Sequence, residues 1–450
     1  MGFSADFLWG ASCAAYQVEG GFDADGKGRS IWDEAVADPN FAAHGETGNV
    51  ACDFYHKMRS DVELMAKMGL KALRFSISWS RVVPEGTGKI NEAGLRFYSD
   101  LVDELKKHDI EPLVTLYHWD LPLALEKRGG WENPEIEDWF AEYVKVVCDA
   151  LSDRVRYWMT INEPQMFVGL GYFVGVHPPC KRLDAAGQIN VTKNILRSHG
   201  RAVQVLRERS KIAPIIGLAP TGDVYLPKTS SPEDVKIARE RSFDFDKYGF
   251  TMQNSWWADP IFLGRFPEGA YKTYPEEMAI FTAEDMELIS SPLDFYGFNA
   301  YKGTTPHDTP RESYGEYAYQ GSPRTMSGWE VTPEVMYWSP KFLYERYNKP
   351  IMVTENGMAG MDWVSLDGGV HDKQREDFLH RYILELKRAV DHGVPVIGYN
   401  VWSVMDNMEW NQGYDIRFGL IYVDYRTMGR TIKDSGYWYR HVIETNGEEL

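Results

Sequence analysis

The stretch VRYWMTINEP, residues 155–164, joins a run of β-branched and aromatic residues to an abrupt polar break that contains Glu163. The stretch PIMVTENG, residues 350–357, has the same design and carries Glu355 at its break. Short runs of this composition predict buried β-strands. Each glutamate is therefore expected at the C-terminal end of a strand.

Strand-like runs of the same kind recur along the chain and alternate with amphipathic helical stretches. The runs cover residues 7–15, 72–78, 111–117, 155–161, 215–219, 293–299, 351–354 and 396–402. Helices are predicted over residues 53–69, 91–108 and 372–392, the last with Asp372 as its N-cap and Gly393 as its stop. This alternation predicts a parallel sheet covered by helices.

Eight strand–helix units in one undivided chain predict a closed (β/α)₈ TIM barrel with its active site at the C-terminal ends of the strands. An open, doubly wound sheet is the alternative. It normally has a glycine-rich phosphate-binding turn, and the Gly20–Gly21 region lacks the GxGxxG spacing. Because no linker or charge block divides the sequence, we predict one catalytic domain over residues 1–450.

Composition restricts the partners and the compartment. The net charge of −18 and the pI near 5.1 disfavour nucleic acids and anionic membranes as partners. The N-terminal segment does not resemble a signal peptide, and no apolar window has the length of a membrane span. The four cysteines show no metal-ligand or redox spacing, so we expect reduced thiols, a cytoplasmic protein and neither metal nor cofactor.

Almost every predicted strand ends in a hydrogen-bonding or aromatic side chain. Together they would suit a sugar, whose hydroxyl groups need polar partners and whose C–H face packs on aromatic rings. Cleavage of a glycosidic bond needs two carboxyl groups on a rigid scaffold, as Glu163 and Glu355 would provide. Each residue alone has a purely structural explanation: Gln17 and Asn299 as partners of loop backbone, His118 and the tryptophans as core, and Arg74 as an ordinary ion-pair partner.

Six segments then reveal a family resemblance over essentially the whole chain. They are FLWGASCAAYQVEG (7–20), RFSISWSR (74–81), YHWDLP (117–122), TINEP (160–164), VTENG (353–357) and NMEWNQGYDIRFGLIYVDY (407–425). In this order they resemble the family 1 glycoside hydrolases, the β-glucosidase family. The resemblance implies a retaining β-glucosidase that acts on unphosphorylated β-glucosides or short cello-oligosaccharides.

The resemblance also implies a role for each matching residue. Glu163 would be the acid/base and Glu355 the nucleophile, with Arg74 and Tyr301 beside the nucleophile. The substrate-binding positions would be Gln17, His118, Trp119, Asn162, Asn299, Tyr301, Trp329, Trp402, Glu409, Trp410 and Phe418. Retention of the anomeric configuration predicts carboxyl groups about 5–5.5 Å apart.

Differences between this sequence and two branches of the family reduce the range of expected substrates. The thioglucosidase branch carries glutamine where this chain has Glu163. The 6-phospho-glycosidase branch has serine, lysine and tyrosine where this chain has Glu409, Ile416 and Phe418, so a phosphate would meet no cation from these positions. Cys13, Ala300 and Asp415 are unusual for the family. Of these, Ala300 either widens the aglycone subsite or has no effect on it.

Several questions stay open at this level. Side activity on β-galactosides and β-fucosides is expected, but the preferred glycone is undecided. The aglycone would be read by loops 223–232 and 302–328, and the oligomeric state is not predicted. The alternatives to hydrolysis are glycosyl transfer through the same intermediate and a non-enzymatic sugar-binding protein on the same barrel.

Overall fold

A computed structural model describes residues 2–304 and 321–450. Within these residues, eight parallel strands form one sheet in the order β5-β4-β3-β2-β1-β8-β7-β6. The strands are β1 (Leu8–Ser12), β2 (Ala72–Ser76), β3 (Glu111–Tyr117), β4 (Tyr157–Asn162), β5 (Ile215–Ala219), β6 (Tyr296–Asn299), β7 (Ile351–Asn356) and β8 (Val396–Trp402). An antiparallel pair, β9 (Ile421–Asp424) and β10 (Gly429–Ile432), follows the sheet.

The sheet closes where β5 meets β6. The backbone N–H of Asp294 donates to the carbonyl of Ile216 at 2.8 Å, and Asn299 donates to Pro220 at 2.9 Å. Thr221 and Asn299 also form a parallel bridge just beyond the strand ends. The eight strands therefore form a (β/α)₈ TIM barrel, as predicted.

Helices connect and cover the strands. They are α1 (Ala15–Val18), α2 (Ile31–Ala35), α3 (Phe54–Lys67), α4 (Trp79–Val82), α5 (Glu92–Lys107), α6 (Leu123–Glu126), α7 (Ile136–Leu151), α8 (Pro164–Val168), α9 (Ala185–Arg209), α10 (Pro232–Phe243), α11 (Asn254–Leu263), α12 (Glu268–Thr273), α13 (Pro275–Met278), α14 (Ala283–Ile289), α15 (Val335–Tyr347), α16 (Lys373–Asp391) and α17 (Asp434–Glu444). Side-chain caps begin several of them: Ser30 and Asp33 form a capping box on α2, and Asp184 accepts from Gly187 N at the start of α9.

The predicted elements correspond to observed ones, with differences at their ends. The first predicted strand stops at Ser12 because helix α1 begins at Ala15. The helices predicted over 53–69, 91–108 and 372–392 are α3, α5 and α16. Asp372 does precede α16, but its side chain caps no backbone N–H there. It instead accepts from Arg375 and from Ser435, since both donors are buried beside it.

The barrel interior is filled rather than hollow. Fully buried side chains from different strands and from the approach to β6 form one cluster: Ala72, Leu113, Met159, Ala219, Phe295 and Met352. Gly217 is needed here, because a Cβ at this position would lie 2.6 Å from the ring of Phe295. A filled interior leaves the mouth at the C-terminal strand ends as the place for chemistry.

The composition raised two questions, the state of the cysteines and the length of the apolar helices. The four cysteines are free thiols, three of them buried and Cys180 exposed. The buried thiol of Cys52 donates to the carbonyl of Asp406 at 2.9 Å. Among the described residues, no helix has the length and apolarity that crossing a membrane requires.

Candidate active site

The C-terminal ends of four strands converge on one hydrogen-bonded chain of side chains. Arg74 on β2 donates from Nη2 to Asn162 Oδ1 at 2.6 Å and from Nη1 to Glu355 Oε1 at 2.5 Å. Asn299 at the end of β6 donates to Asn162 Oδ1 at 3.0 Å and to Glu163 Oε1 at 2.9 Å. The two glutamates singled out by the sequence are thus joined through three intervening side chains.

Glu355 lies on β7 with partners that favour a negative charge. Besides the ion pair with Arg74, it accepts a hydrogen bond at 2.6 Å from the hydroxyl of Tyr301 to Oε2. Burial raises the pKa of Glu355, while the Arg74 cation and the bonds from Tyr301 and Asn299 oppose that shift. Every group that contacts this carboxylate therefore stabilises its ionised form.

Glu163 stands at the junction between β4 and α8 in a left-handed conformation, with φ of 39°. Its backbone N–H is held by the carbonyl of Ala219 at 2.8 Å, and Pro164 begins the helix immediately after it. Burial raises the pKa of Glu163 well above its usual range, and the charge of Glu355 raises it further. The partner that favours its charged form most directly is the neutral amide of Asn299.

The two carboxyl groups therefore differ in their affinity for a proton. Both are almost fully buried, with 8% of Glu163 and 4% of Glu355 exposed. Burial penalises the charged form of each group, but the adjacent cation contacts Glu355 alone. The lower-energy state has an ionised Glu355 and a protonated Glu163.

A second polar group lies where α1 meets the loop that follows β8. Gln17 donates from Nε2 to Asn407 Oδ1 at 3.0 Å, to the carbonyl of Met408 at 2.8 Å and to Glu409 Oε2 at 3.3 Å. Its buried Oε1 atom has no hydrogen-bond partner among the residues that the structure describes. Burial and the charge of Glu355 raise the pKa of Glu409 to about 8. This group offers a hydroxyl-bearing ligand one acceptor from Gln17 and a carboxyl from Glu409.

Aromatic rings stand beside these polar groups. The ring of His118 is stacked against Trp402 at 6.0 Å and against Trp410 at 5.9 Å, and Trp119 is stacked against Trp410 at 4.5 Å. Burial lowers the pKa of His118 well below its usual range, and Arg74 lowers it further, so the imidazole is neutral. Its Nε2 lies 3.1 Å from the amide nitrogen of Asn162. Trp119 fixes that strand end by donating to the carbonyl of Asn162 at 3.1 Å.

The mouth of the site is apolar. Ala14, Ala359, Trp402, Ile416 and Phe418 form a buried cluster, against which Tyr301 and Trp329 pack. The ring centroid of Tyr301 lies 5.0 Å from that of Trp329. Ala300, suggested as a widening of the aglycone subsite, has a fully buried side chain in the main core.

All the residues singled out by the sequence thus lie in one connected region, but the sequence analysis missed several supporting side chains. Thr354 donates to Asn299 Oδ1 at 2.6 Å, and Thr115 accepts from Arg74 Nε at 3.0 Å. Asn407 accepts from Gln17. Thr354 precedes Glu355 directly and Asn407 lies two positions before Glu409, and this closeness in sequence was the available signal. Thr115 on β3 gave no such signal, because the residue it supports, Arg74, lies on another strand.

The polar groups of the site are carboxyl, amide, guanidinium, imidazole, phenol and indole. Residues 2–304 and 321–450 contain no group of three or more His, Cys, Asp or Glu side chains arranged to hold a metal ion. The arrangement is suited to acid–base and nucleophilic chemistry by two carboxyl groups. It defines a glycoside-hydrolase type of site at the mouth of a (β/α)₈ barrel.

Comparison with known proteins places the chain within a family. Residues 1–448 match the model of glycosyl hydrolase family 1. The chain is 43% identical over 449 residues to beta-glucosidase A of Thermotoga maritima, covering 99% of each protein. It is 37% identical to an aryl-phospho-beta-D-glucosidase of Bacillus subtilis, covering 100% of this chain and 98% of that protein.

Solved structures agree with this placement. The Thermotoga maritima beta-glucosidase in complex with deoxynojirimycin superposes with a TM-score of 0.91 at 42% identity, over 100% of each chain. The protein belongs to family 1 of the glycosyl hydrolases, and it is an enzyme of that class. Because its relatives are named both as beta-glucosidases and as an aryl-phospho-beta-D-glucosidase, the residues of its own site must decide between these substrates.

Proposed function

We propose that this enzyme is a retaining β-glucosidase that removes terminal, non-reducing β-D-glucosyl residues from unphosphorylated β-glucosides or short cello-oligosaccharides. One observation carries the proposal: two buried glutamates share a site, and only Glu355 has a cation and a phenol on its carboxylate. This asymmetry supports Glu355 as the nucleophile and Glu163 as the acid/base. The proposed catalytic unit is one domain spanning residues 1–450.

In the first step, a carboxylate oxygen of Glu355 attacks the anomeric carbon. The bond from that carbon to the aglycone oxygen breaks, and the proton of Glu163 passes to the leaving oxygen. In the second step, Glu163 takes a proton from water, the water oxygen attacks the same carbon, and the ester bond to Glu355 breaks. Two inversions give net retention, for which a carboxyl separation of about 5–5.5 Å is expected.

The raised pKa of Glu163 supports both of its proposed roles. While Glu355 is negative, its charge keeps the proton on Glu163, as the first step requires. When Glu355 becomes an ester, that charge is lost and the pKa of Glu163 falls. The same side chain can then act as a base toward water.

The glycone would be bound by the polar group and the aromatic rings. Gln17, Glu409, His118 and Asn162 are proposed to bind its hydroxyls, with Trp119 and Asn299 holding the strand ends. Trp402 is proposed as the platform under the sugar ring, and the indole N–H of Trp410 is proposed to donate to a sugar hydroxyl. Side activity on β-galactosides and β-fucosides follows if Gln17 and Glu409 accept either orientation of the C4 hydroxyl.

We propose that three residues, Glu409, Ile416 and Phe418, prevent 6-phosphorylated sugars from binding. Glu409 places a carboxyl group near the glycone, and Ile416 and Phe418 are buried in the apolar cluster at the mouth. A phosphate dianion there would meet an acidic group and apolar surface and no cation from these positions. Trp329 and Phe418 are proposed to contact the aglycone. The loop 302–328, which is also expected to contact the aglycone, lies partly outside the described residues.

The experiment is a panel of aryl β-glycosides: glucoside, galactoside, fucoside and 6-phospho-glucoside. We expect turnover of the unphosphorylated glucoside and none of the 6-phospho-glucoside. Glu355→Ala should abolish turnover, whereas Glu268→Ala, which alters an exposed glutamate on α12, should leave it unchanged. Preference for the 6-phospho-glucoside, or full activity of Glu355→Ala, would contradict the proposal.

Two further measurements test the mechanism. Proton NMR of the first-formed product should show the β-anomer, and an α-anomer would exclude double displacement. Addition of an alcohol acceptor measures how much of the glycosyl-enzyme is transferred rather than hydrolysed. We propose that the enzyme acts in the cytoplasm, because its four cysteines are free thiols and thiols stay reduced in that compartment.

A further inference from the structure

The proposed glycone-binding pair, Gln17 and Glu409, is assembled from opposite ends of the chain. Gln17 lies on α1, near the N-terminus, and Glu409 lies in the loop that follows β8. The two segments also meet through their backbones, where Met408 N donates to the carbonyl of Gln17 at 3.2 Å. Because one sugar hydroxyl would have to reach both side chains, the separation of these two segments must be held within a narrow range.

Cys52 lies between the two segments. Its thiol donates to the carbonyl of Asp406 at 2.9 Å, and the same sulfur lies 3.8 Å from the carbonyl oxygen of Gln17. Its backbone N–H donates to the carbonyl of Val18 at 3.1 Å, and its side chain is fully buried. One residue therefore contacts both the backbone of α1 and the backbone of the loop that carries Glu409.

The backbone of Cys52 is itself held in place. Its carbonyl accepts from Arg430 Nη2 at 2.5 Å, and the guanidinium of Arg430 binds both carboxylate oxygens of the buried Asp61 at 2.9 Å. Ala51 and Asp53, on either side, adopt left-handed conformations with φ of 47° and 54°. Non-glycine residues adopt this conformation at an energetic cost, so contacts of the folded protein must hold the turn in this shape.

Asp406, whose carbonyl accepts from the thiol, is fixed by buried cations. Its carboxylate accepts from Lys433 Nζ at 2.6 Å and from Arg417 Nη1 at 2.6 Å. The loop is thus tied to a charged framework three residues before Glu409. Cys52 therefore holds α1 against a part of the loop that is fixed in place.

The thiol of Cys52 remains a hydrogen-bond donor. Burial raises the pKa of this thiol well above its usual range, so it keeps its proton at neutral pH. A buried and protonated thiol is a poor nucleophile, which argues against a redox or covalent role. The role that is left to it is a structural contact between the two segments.

We propose that Cys52 positions the glycone-binding pair by holding α1 and the loop after β8 at a fixed separation. The inference rests on the proposed function and gives Cys52 a share in recognition of the C4 hydroxyl, the group proposed to contact Gln17 and Glu409. A residue that acts in this way should matter for substrates that carry this hydroxyl and should be unimportant for substrates that lack it.

The test measures kcat/KM on an aryl β-glucoside and on its 4-deoxy analogue, with Cys52→Ala and Cys52→Ser as variants. Alanine and serine differ by one hydroxyl group, which can donate as the thiol does. Loss of one neutral hydrogen bond corresponds to a roughly fivefold effect. We expect kcat/KM of Cys52→Ala to fall by that factor on the glucoside alone, and Cys52→Ser to recover most of the loss. Cys148→Ala, which alters a fully buried thiol on α7, should leave both values unchanged.

Other outcomes would overturn the inference. An equal loss on both substrates would show that Cys52 supports the fold and not recognition of the C4 hydroxyl. An undiminished kcat/KM of Cys52→Ala on the glucoside would show that the thiol takes no part. The same loss in Cys148→Ala would show that any buried thiol has this effect.

A second variant serves if circular dichroism shows Cys52→Ala to be unfolded at the assay temperature. Arg430→Lys loosens Cys52 from the other side, because one ammonium group cannot replace the guanidinium that binds Asp61 and the carbonyl of Cys52 together. Its loss should again be confined to the glucoside, and an equal loss on the 4-deoxy analogue would refute the inference. Absence of turnover of the glucoside by the unaltered enzyme would instead refute the proposed function.

Discussion

Replacing Tyr301 by phenylalanine tests the assignment of the nucleophile most directly. The hydroxyl of Tyr301 donates to Glu355 Oε2 at 2.6 Å, the short distance typical of a bond to a charged acceptor. Burial and the nearby charge of Glu355 raise the pKa of Tyr301 well above its usual range, so the phenol keeps its proton and stays a donor. Tyr301→Phe removes this one bond and leaves the ring.

The size of the effect follows from the geometry. A hydrogen bond to a charged group contributes about 1.5–3 kcal/mol, and one pKa unit corresponds to about 1.4 kcal/mol. Because the bond stabilises the ionised form of Glu355, its removal should raise the pKa of that group by about 1–2 units. The nucleophile is then protonated at a higher pH, and activity is lost from the acidic side.

The assay is the pH dependence of kcat/KM on an aryl β-glucoside, whose acidic limb reports the free-enzyme pKa of the group that must be ionised. The limb should move to higher pH in Tyr301→Phe. Tyr382→Phe is the matched control, because the Tyr382 hydroxyl donates to the backbone carbonyl of Tyr301 at 3.1 Å and not to Glu355. An acidic limb that stays in place in Tyr301→Phe, or that moves equally in the control, would refute the reasoning.

Two further perturbations probe the framework. Lys433→Met removes a buried cation from Asp362 and Asp406, which then keep only Arg375 and Arg417 as cationic partners. Removal of one partner of a buried ion pair costs about 3–5 kcal/mol. For 450 residues at about 2 cal/mol/K each, the melting temperature should therefore drop by about 3–5 °C in calorimetry. Lys272→Met, in an exposed pair, should change it by less than about 1 °C, and equal shifts would contradict this. Gly357→Ala should lower kcat/KM strongly, because its Cβ would lie 1.7 Å from the carbonyl oxygen of Trp402. In the control Gly429→Ala, the Cβ would meet only a side-chain hydroxyl at 3.2 Å, so kcat/KM should stay unchanged.

The parts of the site that could be predicted from sequence are those encoded locally. A buried strand followed by a polar break is visible in a short window, so Glu163 and Glu355 could be placed at strand ends. Parallel strands in a barrel then bring those ends together by topology alone. Arg74 could be placed on a strand as well, because it lies within the predicted strand 72–78, which is observed as β2.

The supporting contacts could not be predicted, because they join residues far apart in the sequence. Gln17 and Asn407 are 390 residues apart, and the partner that orients each amide is visible only after folding. Asp372 illustrates a local rule overridden by such contacts. Its position predicts an N-cap, but the buried charge of Arg375 and the hydroxyl of Ser435 bind its carboxylate instead. Arg375 and the hydroxyl and backbone N–H of Ser435 thus occupy the carboxylate that would otherwise cap the helix.

The different roles proposed for the two glutamates follow from their partners, since both are glutamates and both are buried. Arg74 decides between them, because its three donor nitrogens are committed to Thr115, Asn162 and Glu355. None of these hydrogen bonds reaches Glu163, which accepts from the amide of Asn299 instead. An exchange of roles would require the guanidinium to move while β2 and β3 hold it in place. In the proposed mechanism, the direction of proton transfer is therefore set by an arginine that exchanges no proton itself.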